Sequence, residues 1–176
     1  AAHKKFYGSR ADKMTDKADV AVFFDIEKLK PLIDEGLEGV EQQLADAVTA
    51  LLNGDNRLAE QAAHRDHLVN GLEVAIDEDC SRILATRSPA ASDLRLIVAV
   101  IKTITDLERV GDEGEKVAYV ATRLSGFDRP ADRYRELRHI ARLARELLHD
   151  ALDAFSRLDA DAAIAIARRD RMLDAE

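Results

Sequence analysis

The sequence contains no tryptophan, 5% aromatic residues, three prolines and a single cysteine in 176 residues. Sandwiches and barrels draw heavily on aromatic and β-branched residues, so this scarcity points to helices packed by aliphatic side chains. The lone Cys80 can close no internal disulfide, which fits a reducing cytoplasm. No apolar run, Leu96–Ile101 included, approaches the roughly 18 residues of a membrane span, and no basic-then-apolar leader is read at the start. The expected location is therefore cytoplasmic, with a membrane met only through partners. Positive charge is also short: 26 Lys and Arg against 34 Asp and Glu leave a net charge of −8. That balance argues against a duplex-binding surface, so no direct nucleic acid binding is expected, although a local basic patch is still allowed.

What the chain does have is helical periodicity. Residues 1–23 show no sustained period and read as an irregular N-terminal extension. From about Ile26 the residues Ile33, Leu37, Val40, Leu44, Ala47 and Leu51 recur at steps of three and four, with Pro31 near the first turn and Asn53-Gly54 as the stop. Asp55 is placed to cap a second helix running to about Thr86, with Leu58, Ala62, Val69, Leu72, Ile76 and Ile83 inward. Pro89 interrupts the chain, and a third helix is expected over Ser92–Leu124. After Gly126 and Pro130 a fourth helix is expected from about Asp132 to Leu158, with Leu137, Ile140, Ala144, Leu147, Ala151, Ala154 and Leu158 on one side. Asp159 then caps a fifth, and no strand pattern occurs. The fold class is all-α, a bundle of long antiparallel helices.

The chain also resembles itself. A shift of 104 positions aligns Leu44 with Leu148, Asp46 with Asp150, Ala50 with Ala154, Asp55 with Asp159, Ala59 with Ala163 and Arg65 with Arg169. Helix one ends like helix four, and helix two begins like helix five. A duplicated three-helix unit accounts for this, with the second copy stopping at Glu176, opposite Leu72. The expected organisation is an extension over 1–23, a first repeat over 24–126 and an incomplete second repeat over 127–176. Apolar faces on helices four and five are expected to rest on the first three helices or on another copy of the chain.

The third helix, SDLRLIVAVIKTITDLERVGDEGEKVAYVATRL, carries the most informative acids. At about 100° per residue, Leu94, Ile97, Ile101, Ile104 and Asp112 fall within about 40° of Glu108. Glu108 and Asp112 thus continue an apolar stripe, where a carboxylate needs a cation, donors or a proton. On helix two, Asn70, Glu73 and Asp77 fall within roughly 40° of Asp66. If the two levels meet, Glu73, Asp77, Glu108 and Asp112 converge, with Asp66 a weaker member, and charges so gathered draw in protons or metal. Oxygen-only ligands favour a hard cation such as Mg²⁺, Mn²⁺, Ca²⁺ or Fe³⁺ over zinc. Arg82, Arg109 or Lys116 could answer the same acids as ordinary salt bridges. Glu136 with His139 and Glu146 with His149 lie on one helix and so cannot close a single di-metal site; they read as surface residues, as do His64 and His67. No Gly-rich phosphate loop or nucleophilic triad is visible.

Three segments, PAASDLRLIVAVIKTITDLERVGDEGEKVA, VEQQLADAVTALLNGD and GLEVAIDEDCSRILA, resemble the helices of the PhoU family of phosphate-uptake regulators, over Glu38 to the end. The resemblance implies tandem three-helix repeats, here with the second incomplete. It implies binding of metal ions, including multinuclear clusters, at acidic residues followed four later by Asp: Glu73 and Asp77, Glu108 and Asp112, and Asp170 and Asp174. It implies an adaptor, not an enzyme, often a homodimer. The implied partners are the ATPase of the phosphate ABC transporter and a sensor histidine kinase, and the adaptor keeps the phosphate-starvation response off. The alternatives are a carboxylate-bridged metalloenzyme and a metal-free helical interaction module.

Overall fold

A computed structural model describes residues 17–89, 91–127 and 134–173 of the chain. Five helices follow in order: α1 over Lys17–Asn53, α2 over Asn56–Arg87, α3 over Ala91–Arg123, α4 over Arg135–Ser156 and α5 over Ala160–Leu173. No strand occurs among the described residues, so the all-α expectation holds. Among them, too, no helix is long and apolar enough to cross a membrane.

α1, α2 and α3 pack mutually into a bundle whose core tapers. At one end Val22, Ile26 and Leu29 meet Ile76, Cys80 and Ile83 of α2 and Ile97, Val100 and Ile104 of α3. The middle holds Leu37, Val40, Val69 and Leu107. Beyond it the buried residues are alanines, Ala47, Ala62 and Ala118, then Ala50, Ala59 and Ala121, with half-buried Val117, Leu51 and Leu58 packed against them. Helix axes can approach more closely where the contacting side chains are small, so this bundle narrows toward the α1–α2 corner. Cys80 sits in the wide end, and burial, with Asp77 and Asp79 nearby, pushes its thiol up to about 11. It is a packing residue, not a nucleophile.

The start of α1 corrects the sequence reading. An irregular extension was expected over 1–23; of these, 1–16 lie outside the described residues, while 17–23 are helical and Val22 is buried. Val22, Ile26 and Leu29 extend the apolar stripe by steps of four and three, which draws those residues into the helix. Pro31 consequently lies inside α1 instead of in its first turn. The ladder tolerates the missing donor because buried Leu29 and half-buried Leu32 and Ile33 anchor the helix on both sides. Asp25, also buried, joins α1 to the end of α2: Arg87 Nε donates to it at 2.8 Å and Lys28 Nζ at 3.2 Å. The Arg87 hydrogen bond, ahead of Lys28, holds its carboxyl below the usual range. Its folded-state titration being depressed, this clasp stabilises the bundle above the ordinary carboxylate range and is lost as pH falls.

The α1–α2 and α4–α5 corners match in three dimensions. At the α1–α2 corner Gly54 takes φ 74°, the N–H groups of Gly54 and Asp55 donate to Ala50 O, and Asp55 Oδ1 accepts from Leu58 N at 3.0 Å. At the α4–α5 corner Leu158 takes φ 53°, Asp159 N donates to Ala154 O, and Asp159 Oδ1 accepts from Ala162 N at 2.9 Å. Arg65 pairs with Asp46 across the first corner, and Arg169 with Asp150 across the second. One position does not suit its conformation. Leu158 stands where the first copy has glycine, and a left-handed backbone costs a side chain about 1–2 kcal/mol. Leu158→Gly is expected to stabilise the protein by about 0.5–1 kcal/mol in urea denaturation, the remainder being offset by lost contacts and glycine's entropy.

α4 leans on α1 only through its second half, where Leu148, Leu152 and Phe155 reach Ile33 and Leu37. The stripe expected on α4 is therefore mostly open: of its seven residues only Ala154 is buried, Leu152 taking the place of Ala151. Leu137 and Ile140 of α4 and Ile164 of α5 are exposed. The reason is geometric: α4 offers one side to α1 and another to α5, so a single stripe cannot describe it.

Candidate functional site

The core line of α3 runs through Ile97, Val100, Ile104, Leu107, Gly111, Gly114, Ala118 and Ala121. This corrects the stripe through Leu94 and Glu108 by about one residue: Leu94 is 41% exposed, and Glu108 and Asp112 stand half-buried at the border. Two glycines in the seam carry no hydrophobic signal, so the pattern read from side chains alone drifts toward its neighbours.

Those glycines make room for a residue that sequence reasoning missed. Gln43 of α1 is fully buried. A Cβ on Gly111 would meet Gln43 Oε1 at 3.3 Å and Asp66 Oδ1 at 3.4 Å, and one on Gly114 would meet Gln43 Cγ at 3.5 Å. Gln43 Nε2 donates to Gly111 O at 3.0 Å and, more weakly, to Asp66 Oδ1 at 3.4 Å. Asp66, 5% exposed, receives a second donor from Asn70 Nδ2 at 2.9 Å. The only signal for Gln43 was its place in the seam, three residues after Val40 and four before Ala47.

The neighbourhood is rich in acceptors and poor in cations. Gln43 Oε1 and Asn70 Oδ1 are buried without a partner. Burial first, then the nearby charges of Asp112, Glu73 and Asp66, push the Glu108 carboxyl above its ordinary range. Four of the expected acids, Asp66, Glu73, Glu108 and Asp112, therefore share one electrostatic environment. Asp77 is exposed and is not among the groups acting on Glu108. Asp170 is exposed on α5, which packs on α4, and Asp174 lies outside the described residues. The three cations that could have answered the acids make their close ion pairs elsewhere, Arg82 with Asp79, Arg109 with Asp106 and Lys116 with Glu113, although Arg109 and Lys116 still act on Glu108 from a distance. The donor set, all oxygen, suits a hard cation. As placed, however, no three His, Cys, Asp or Glu side chains among the described residues are gathered closely enough to hold one ion. The Glu-His pairs are surface features: His149 contacts Glu41, while Arg142 contacts both His139 and Glu146.

Residues 33–121 match the PhoU domain. The chain is 49% identical over 137 residues to a phosphate-specific transport system accessory protein PhoU homolog of Pseudomonas putida, covering 78% of this chain and 54% of that protein. It is 46% identical over 138 residues to the phosphate-specific transport system accessory protein PhoU of Escherichia coli, covering 78% and 56%. A crystal structure of PhoU from Pseudomonas aeruginosa superposes with a TM-score of 0.81 at 43% identity, covering 86% of this chain and 72% of that one. The chain spans about half the length of the curated relatives it matches. By sequence and by fold, this chain belongs to the PhoU family.

Proposed function

We propose that this chain acts in phosphate homeostasis as a cytoplasmic, non-catalytic adaptor that binds a hard metal ion and holds the phosphate-starvation response off. The reading joins the phosphate ABC transporter, through its ATPase subunit, to a sensor histidine kinase, with the adaptor working as a homodimer. The relatives' role in phosphate-specific transport supports the regulatory half. One observation carries the metal half: four carboxylates and two orphaned amide oxygens share a region that Arg109 and Lys116 reach only at a distance, from their own ion pairs with Asp106 and Glu113. Glu73, Glu108 and Asp112, all half-buried, would hold the ion from α2 and α3 once drawn closer together than they stand, with Asp66 behind them and Gln43 and Asn70 fixing Asp66. A bound Mg²⁺, Mn²⁺ or iron would supply charge neutralisation and a brace between the two helices.

Elemental analysis of protein purified without chelator tests the metal, and the expected result is metal in the parent and none in Glu108→Ala/Asp112→Ala. Equal metal in both would sink the site. A strain lacking the gene should express starvation genes constitutively until the gene is restored, and failure of restoration would count against the regulatory half alone. The wide placement of the acids favours one further reading, a metal-free interaction module. Excess EDTA distinguishes it: a metal-braced bundle loses thermal stability and a metal-free one does not.

A further inference from the structure

The chain has a net charge of −8, yet α4 gathers arginines on one side. Over α4, Arg138, Arg142 and Arg145 recur at steps of four and three and so share one face. That face lines a cavity of about 730 Å³ whose opposite wall is α1, with Val48 and Leu52 on it, and Arg169 of α5 lines the same cavity. The volume lies in the roughly 300–1,000 Å³ range of small-ligand sites and is far too small for a nucleic acid duplex.

Three carboxylates also line the cavity, but each already has a side-chain partner. Glu41 contacts His149 at 2.9 Å, Glu146 accepts from Arg142 at 2.8 Å, and Asp150 pairs with Arg169. Among the described residues no carboxylate pairs with Arg138 or Arg145, both cavity-lining. Seven residues separate them, roughly 10 Å along the axis, with Arg142 between. A guanidinium presents a planar fork that grips phosphoryl oxygens two at a time and keeps its charge at any pH. A single orthophosphate reaches one such fork, whereas a chain of phosphoryl groups spans the row.

We propose that the cleft between α1 and α4 binds a small oligophosphate, an anion with two or more linked phosphoryl groups, along the Arg138, Arg142 and Arg145 row. Inorganic polyphosphate and the phosphate tail of a nucleotide share this chemistry. The site is separate from the carboxylates of α2 and α3 and stands or falls without them.

Isothermal titration of the full chain with inorganic triphosphate at low ionic strength tests it. Saturable binding is expected, weakened tenfold or more in Arg138→Ala/Arg145→Ala and unchanged in Arg109→Ala, which lies on α3 outside the cleft. Because both cleft arginines are exposed, the double variant is expected to keep the parent's thermal midpoint, which separates lost binding from lost folding. ATP binding as well as triphosphate would assign the site to nucleotides, and ATP exclusion would assign it to inorganic chains; both sustain the proposal. No saturable binding, equal binding in the double variant, or orthophosphate or citrate binding as tightly as triphosphate would overturn it.

Discussion

Gln43→Glu is expected to cost about 3–4 kcal/mol of stability at pH 7 and almost nothing near pH 4. The substitution changes one buried group and almost no volume. It replaces the Nε2 donor to Gly111 O and Asp66 with an acceptor, beside a carboxylate already 5% exposed. A second charge there is too costly to keep, so the new acid takes up a proton. Holding it protonated costs about 1.4 kcal/mol for each pH unit above an ordinary glutamate value of about 4.3. The sign follows: the folded-state pKa lies above the unfolded one, so the deficit is absent below about pH 4, and grows as pH rises to the folded pKa. Urea denaturation of parent and variant at several pH values checks it. A deficit independent of pH would mean that Gln43 matters for shape alone. If the acceptors around Asp66 hold a hard cation, Mn²⁺ should recover part of the loss at pH 7.

Ile76→Ala should cost about 3–4 kcal/mol, whereas Ile140→Ala should stay within about 0.5 kcal/mol. Both remove the same atoms. Ile76 is 1% exposed among Leu29, Cys80, Ile83 and Ile97, where the vacated space cannot collapse; Ile140 is 54% exposed. Parallel denaturation curves measure the contrast. Similar losses at the two sites would show that the apolar face of α4 is covered in solution.

The two positions also mark what could be read from residue order. Ile76 was legible because periodicity, helix caps and neighbours agree on α2; Asp55 and Asp159 cap as expected, and Asp46–Arg65 recurs as Asp150–Arg169. Ile140 was misread because periodicity says which residues share a face but not whether anything covers it. The candidate site was legible in part. Acids four apart on neighbouring helices pointed to Glu73, Glu108 and Asp112, yet Asp77 sits outside their group and Gln43 was overlooked. A buried amide has no sequence signature; it follows from missing side chains at Gly111 and Gly114, and that fit exists only after α1 and α3 have met.

The two matching corners bear on the order in which the chain assembles. Each is closed by an aspartate cap and an Asp–Arg pair between residues 19 apart, so each can form before any distant segment arrives. Short-range closure is fast, and α3 must then travel to a hairpin already made. Two local nuclei, at residues 46–65 and 150–169, make a folding rate that should respond weakly to Ile97→Val in α3 and strongly to Asp46→Ala.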